Sequence, residues 1–451
     1  MTDRLAATCL LPGFRGPVVP DALRPWLDRG IGGVVLFGSN IVSPEQLAEL
    51  TAELQAARPG LLVTTDEEGG DVTRIEVDEG SSYPGNLALG RVDDVGVTER
   101  VAASMGAELA GVGVNVDLAP VADVNSNPRN PVIGVRSFGS DPELVARHTA
   151  AFVRGLQGAG VAACAKHFPG HGDTHQDSHL ELPSTDLHEE ALVPFRAAIE
   201  AGVRSVMTAH ILVNGDREPA TLSPRIVDEL LRGELGFDGA VLSDAIEMQA
   251  ISATVGPEEA TVRALQAGVD GVLLGAVLGL DALEAMHRAL VERVSEERLA
   301  EAAARVEAVA MSPSPEPADR AAGLDAARRA LLVEGDVSAS PGRRQPEPRG
   351  RARPPARPAR HGLGGLRLAE GDPLPAAEGL EVVVVVRDAH RHSWERDAAQ
   401  ALVSAAARAV VVETRLPVWR PDGAAGYVAT FGGGRASLEA AAERLRLVQS
   451  M

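Results

Sequence analysis

Short apolar runs that recur with amphipathic stretches between them are the strongest constraint this sequence sets on its fold. Eight such runs occur, at Ala6–Leu11, Gly33–Phe37, Leu61–Thr65, Asn115–Leu118, Ala162–Lys166, Val206–Ala209, Ala240–Ser243 and Gly271–Leu274. Each is four to six residues long and rich in Val, Leu or Ala, the composition of parallel strands buried on both faces. Segments with helical periodicity separate them, among them Pro44–Ala57, Val97–Ala110, Asp141–Gln157, Glu189–Ala201, Ser223–Gly233 and Pro257–Ala267. Eight strands alternating with helices is the number that closes a (β/α)8 TIM-like barrel, so the sequence predicts an α/β fold of that kind over residues 1–310.

The pattern stops near Ala310. Met311-Ser312-Pro313-Ser314-Pro315-Glu316-Pro317 cannot continue a helix. A helix is expected at about Ala318–Leu332, after which residues 341–360 carry six prolines and seven arginines against one glutamate. Such a run cannot pack a core and reads as solvated chain. Residues 311–362 are therefore read as a linker and 363–451 as a smaller C-terminal α/β domain. Its strands are expected at Leu380–Val386, Ala409–Glu413 and Tyr427–Phe431, and its helices at Trp394–Arg408 and Ser437–Leu447.

Composition narrows the function classes. Hydrophobic residues at 45% and charged residues at 24% describe an ordinary globular chain. A net charge of −20 opposes nucleic acid and anionic membrane, and no apolar run reaches the 18 residues of a membrane span. Cys9 and Cys164 alone make no disulfide framework, and the N-terminal apolar run is too short for a signal peptide. The expected location is cytoplasmic. No sign of an oligomeric state is legible.

One composition figure points directly at a site. Of 43 basic residues, only Lys166 is lysine. In a chain that uses arginine everywhere else, a retained lysine marks a place that needs a compact point charge rather than a broad fork. Lys166 ends the fifth apolar run and opens the loop Lys166-His167-Phe168-Pro169-Gly170-His171-Gly172-Asp173-Thr174-His175-Gln176-Asp177-Ser178-His179. Other polar groups also follow apolar runs: Asp66-Glu67-Glu68-Gly69-Gly70 after the third, Ala119-Pro120-Val121-Ala122-Asp123 after the fourth, His210 after the sixth and Asp244 after the seventh. Barrels of this kind hold their chemistry at the C-terminal ends of the strands.

His167 and His171, like His175 and His179, have the i,i+4 spacing of zinc-binding histidines on a helix. Pro169 and Gly170 break a helix between the first pair, and the second lacks a zincin glutamate. No metal and no cofactor are assigned. Asp177-Ser178-His179 reads instead as an imidazole oriented by a carboxylate, a general acid/base near neutral pH. Asp244 is then the opposing carboxylate, the arrangement that double displacement at an acetal carbon requires. Asp66, Arg74, Arg136, Lys166 and His167 together offer the mixed donors and acceptors that a hydroxyl-rich ligand needs. A phosphate would want cations alone, and no Gly-Lys-Ser/Thr loop is present.

Lys166-His167-Phe168-Pro169-Gly170-His171-Gly172 with Asp177-Ser178-His179 resembles the signature of glycoside hydrolase family 3, in its β-N-acetylglucosaminidase (β-N-acetylhexosaminidase) branch. Asp66-Glu67-Glu68-Gly69-Gly70, Ala119-Pro120-Val121-Ala122-Asp123-Val124, Val132-Ile133-Gly134-Val135-Arg136-Ser137-Phe138 and Ser243-Asp244-Ala245-Ile246-Glu247-Met248 follow in that family's order, over about residues 1–310. The resemblance implies a retaining, exo-acting enzyme that releases N-acetylglucosamine from short glycans or cell-wall fragments. It implies Asp244 as nucleophile, His179 oriented by Asp177 as acid/base, and Asp66, Arg74, Arg136, Lys166 and His167 around the sugar. It also implies a sandwich-like second domain. One departure stands out: Asp71 follows Gly70 where the branch usually has arginine. Two other readings use the same residues, a β-N-acetylglucosaminide phosphorylase and a sugar-binding protein without activity, and the histidine spacing leaves a metal hydrolase as a further alternative.

Overall fold

The computed structural model describes residues 1–176, 182–248, 251, 255–276, 279–312, 317–338, 363, 366 and 368–447. Two compact units are present: residues 1–68, 73–75 and 93–319 form the first, and 69–72, 76–92 and 320–451 the second. Short segments that sit within 1–310 in the sequence thus belong to the second unit.

In the first unit, besides a short pair of Ser184–Thr185 on Leu212–Val213, eight strands follow one another: β1 (Leu10–Pro12), β2 (Gly33–Leu36), β3 (Leu62–Thr65), β4 (Val116–Asp117), β5 (Ala162–Phe168), β6 (Ser205–Thr208), β7 (Ala240–Ser243) and β8 (Val272–Leu274). Strands β2 to β7 pair side by side, all parallel, in chain order, and β1 pairs in parallel with β8. Single bridges join Gly13 to Val35 and Leu242 to Gly271. One apolar cluster draws on all eight strands through Leu11, Val35, Leu62, Val116, Cys164, Met207, Leu242 and Leu273. Side chains from so many neighbours meet only if the sheet curls around them. The unit is an α/β fold built on a curled parallel sheet.

The intervening helices begin where the sequence supplies caps. Ser43 accepts the Gln46 N–H ahead of helix Pro44–Ala57, Asp94 caps Val95–Gly111, and Asp141 caps Pro142–Gly158. Pro44 and Pro142 stand in the first turn, where a missing N–H costs nothing. Two local expectations need correction. The run Ala6–Leu11 is a strand only from Leu10, because Thr2–Thr8 is helical: Thr8 turns its hydroxyl back to the Arg4 and Gly30 carbonyls, and Ala6 and Ala7 are buried. The helix expected at Ser223–Gly233 is a π-helix over Arg225–Glu234. Among the described residues no helix is long and apolar enough to cross a membrane.

The second unit is built on a four-stranded sheet. Its strands are β9 (Leu332–Gly335), β10 (Glu381–Val386), β11 (Arg408–Glu413) and β12 (Gly426–Ala429), in the order β9-β12-β11-β10. The last three are parallel, and β9 runs antiparallel on β12. Val384, Val386 and Val411 bury one face with helix Ser393–Ala405, while Val410, Val412 and Val428 bury the other with helix Arg435–Arg444. Strand β9 and helix Arg320–Ala330 lie within the stretch read from the sequence as a linker. The Pro/Arg-rich run 341–360 is outside the described residues. Asp71 belongs to this unit: its carboxylate meets Arg415 at 2.8 Å and Arg387 at 3.4 Å and accepts the Gly433 N–H at 2.5 Å. This carboxylate thus has two arginines for partners.

Candidate active site

The C-terminal ends of β3, β4, β5 and β7 converge on one buried cluster of charge. Lys166, 1% exposed, bridges two carboxylates, with Nζ 2.7 Å from Asp66 Oδ1 and 2.7 Å from Glu68 Oε1. Arg136, from the turn Gly134–Arg136, forks onto the same Glu68 through Nε at 2.9 Å and Nη2 at 2.8 Å. Arg74 returns to Asp66 Oδ2 at 3.4 Å. Its return is fixed locally: Glu67 Oε2 accepts the backbone N–H groups of Arg74 and Ile75, and Asp117 Oδ1, at the end of β4, accepts that of Glu67. A bidentate guanidinium and a bridging ammonium are strong, directional partners for a carboxylate.

The β5 ladder shifts register between Lys166, which pairs with Met207, and Phe168, which pairs with Thr208. Such a bulge re-aims side chains and lets Lys166 and His167 both serve the cluster. His167 Nδ1 lies 2.8 Å from Asp123 Oδ2, and Nε2 lies 3.4 Å from Arg136 Nη2. A carboxylate on one side and a guanidinium on the other assign the hydrogen to Nδ1 and leave the Nε2 lone pair facing the site. Asp123 also accepts the backbone N–H groups of His167 and His171. The β5 loop is therefore wrapped around a single carboxylate.

The electrostatics follow from these contacts. Burial would raise Asp66 and Glu68, but Lys166 with Arg74 for the first, and Arg136 with Lys166 for the second, hold both below the usual carboxylate range. Burial would likewise lower Lys166, and the two carboxylates push it above its ordinary value instead. Asp123 stays low against its burial because His167 and His171 face it. Burial takes His171 down to about 4, so its ring is neutral. Asp117 goes the other way: burial raises it well above the ordinary value, and its Oδ2 is buried without a hydrogen-bond partner.

Asp244 leaves β7 half-buried, its N–H 3.3 Å from the Thr208 carbonyl and its Oδ1 accepting the Ala245 N–H at 2.7 Å. Burial is outweighed by His210, His167 and the Lys166 charge, and Asp244 sits below its ordinary value, ionised at neutral pH. It is thus at the same strand ends as Lys166 and within its field.

Residues 13–309 match the family description "Glycosyl hydrolase family 3 N terminal domain". The chain belongs to glycosyl hydrolase family 3. Among curated relatives, the "Beta-hexosaminidase" of Stenotrophomonas maltophilia (strain K279a) is 41% identical over 281 residues, 59% of this chain and 82% of that protein. The "Beta-hexosaminidase A" of Pseudoalteromonas piscicida is 40% identical over 286 residues, 57% of this chain, and the match spans about half (48%) of that protein. Among solved structures, the family 3 β-N-acetylglucosaminidase of Paenibacillus sp. str. FPU-7 superposes with a TM-score of 0.84 at 31% identity, covering 99% of this chain and 96% of that one.

For this family 3 chain, the structure joins Asp66, Arg74, Arg136, Lys166 and His167 in one network and brings Asp244 beside it. Asp177 and His179 lie outside the described residues. Sequence reasoning did not single out Glu68, the acid shared by Lys166 and Arg136, or Asp123, which orients His167. A signal for Glu68 existed: Asp66-Glu67-Glu68 puts three acids at one buried strand end, and a lone lysine cannot neutralise them.

Proposed function

We propose that this chain is a retaining, exo-acting β-N-acetylglucosaminidase that releases N-acetylglucosamine from short glycans or cell-wall fragments. The observation that carries the reading is Lys166, held 2.7 Å from both Asp66 and Glu68 at the strand ends that also carry an ionised Asp244. Alternating fixed anions and cations suit a ring whose hydroxyls donate and accept at once. Asp244 attacks the anomeric carbon while His179, oriented by Asp177, protonates the departing oxygen. The resulting glycosyl ester is then hydrolysed by water, which His179 deprotonates as Asp244 leaves. Asp66, Arg74, Arg136, Lys166 and His167 hold the sugar, with Glu68 and Asp123 fixing the last three of these.

The finer architecture is part of the proposal: a closed eight-stranded barrel followed by a sandwich-like α/β domain. The Gly13–Val35 and Leu242–Gly271 bridges, with the β1–β8 pair, support closure. Helices on both faces of the second sheet support the sandwich. A cytoplasmic location suits two buried free thiols, Cys9 and Cys164. The test is turnover of aryl β-N-acetylglucosaminide with and without inorganic phosphate. Free N-acetylglucosamine is the expected product in both, and Asp244→Asn is expected to lose about three orders of magnitude or more in kcat. Sugar 1-phosphate as the main product would replace hydrolysis by phosphorolysis, and an unimpaired Asp244→Asn would end the nucleophile assignment.

A further inference from the structure

The end of β6 carries a buried histidine that the reaction above leaves unused. His210 is 1% exposed, with Nε2 3.0 Å from the Ala245 carbonyl oxygen and Nδ1 2.8 Å from Thr221 Oγ1. A carbonyl only accepts, so Nε2 carries a hydrogen. Burial lowers the imidazole against the opposing pull of Asp244, and Nδ1 shares the Thr221 hydroxyl with the Ala209 carbonyl, 3.0 Å from Thr221 Oγ1. Thr221 is itself held: Thr208 Oγ1 donates to it at 3.0 Å. The ring is thus anchored from below by two threonines while Nε2–H faces Ala245.

The carbonyl gripped by this ring belongs to Ala245, the residue that follows Asp244. Thr208 O accepts the Asp244 N–H, the Asp244 carboxylate accepts the Ala245 N–H, and the Ala245 carbonyl takes the His210 Nε2–H. We propose that His210 is a positioning residue for the nucleophile, whose Nε2–H fixes Ala245 by its carbonyl and, through the Ala245 N–H, the direction of the Asp244 carboxylate. The inference rests on the reading of Asp244 as nucleophile. Asp244 is faced by His210 after β6, by His167 and Lys166 on β5 and by Glu247 on its own loop; His210 is faced by Asp244 and His167. Without the imidazole the Ala245 N–H is no longer held against the Asp244 carboxylate, a bond that favours the ionised form, so the acid limb of kcat/KM moves to higher pH.

The full chain carrying His210→Ala, His210→Gln or His210→Asn, assayed on aryl β-N-acetylglucosaminide across pH, tests this. His210→Ala is expected to lose about a hundredfold in kcat, with KM little changed and the acid limb displaced upward. Glutamine places its amide near the position of Nε2 and keeps a donor for Ala245; asparagine places it near Nδ1 and does not. His210→Gln is therefore expected to recover at least about tenfold of the loss and His210→Asn to recover none. A structural role alone would change the fraction of active protein, counted by trapping the glycosyl-enzyme, and leave the acid limb in place. An unmoved limb in His210→Ala, or glutamine no better than asparagine, overturns the proposal; if His210→Ala does not fold, the glutamine and asparagine comparison decides it. An active Asp244→Asn would defeat the nucleophile reading instead, so the two failures are distinct.

Discussion

Both ends of the curled sheet in the first unit bury carboxylates among cations, and they do so in opposite proportion. At the N-terminal ends of β7 and β8, Asp270, fully buried, meets Arg232 at 2.5 Å, Arg298 at 2.8 Å and Arg305 at 3.5 Å, and accepts the Val241 N–H. The donors left over go to chain ends: Arg298 to the Leu265 and Val269 carbonyls, Arg232 to those of Phe237 and Gly239. Three cations surround one anion, and spare N–H groups close the turns that lead into strands. At the C-terminal ends, Asp66, Glu68, Asp117, Asp123 and Asp244 gather around Lys166, Arg74 and Arg136. Acids outnumber cations there. The first arrangement is a clasp for the fold; the second is a surplus of oriented acceptors, the proposed nucleophile among them, beside one compact ammonium. Stability at the bottom and chemistry at the top is the division expected of this architecture.

The largest effect expected from this contrast is on activity at the C-terminal end. Lys166→Arg keeps the charge but puts a planar fork where one nitrogen now reaches two carboxylates at 2.7 Å each. We expect kcat/KM on aryl β-N-acetylglucosaminide to fall by about two orders of magnitude, because displaced Asp66 and Glu68 misplace the sugar. A variant with near-native kcat/KM would show that charge alone, not shape, keeps the lysine. The opposite end should answer in stability. Asp270→Ala leaves three guanidiniums without their carboxylate and is expected to cost about 3–5 kcal/mol of unfolding free energy in urea. Its kcat per folded molecule should stay native. A collapse of kcat with stability intact would mean the two ends are not separable in this way.

How much of this was legible beforehand differs with the element. The strand and helix alternation was, since helix Pro44–Ala57 begins at its Ser43 cap and helix Pro257–Ala267 ends at Gly268. So was Lys166, because its rarity is a property of the chain rather than of a neighbourhood. The Asp270 clasp was not: Arg232, Arg298 and Arg305 are ordinary arginines on separate helices or their ends, and only packing brings them to one carboxylate. Glu68 and Asp123 stood in recognised motifs, but their parts as shared acid and as tautomer-setting partner depend on which atoms face them. Ala6–Thr8, the end of helix Thr2–Thr8, reads as strand in the sequence because Ala and Leu favour burial in either state, and its conformation is decided by Thr8 bonding back to Arg4.

The smallest expected effect isolates the surplus itself. Asp117 is an acid at the C-terminal end with no ion pair among the described residues: its Oδ1 takes the Glu67 N–H, and its Oδ2 is buried without a hydrogen-bond partner. Burial raises it above its ordinary value despite the Glu67 bond and Lys166. The folded chain then keeps a proton that the unfolded chain releases, so this residue's contribution to stability falls as pH rises from about 4, the ordinary aspartate value, toward the raised one. Asp117→Asn cannot ionise and keeps an oxygen for the Glu67 N–H. Its stability should match the native protein near pH 4 and exceed it increasingly at higher pH, the gap growing by at most about 1.4 kcal/mol per pH unit until the native group ionises. Urea unfolding at a series of pH values reads this directly. A gap that stays constant with pH would mean that Asp117 is already ionised in the fold, and that Lys166 serves a third carboxylate.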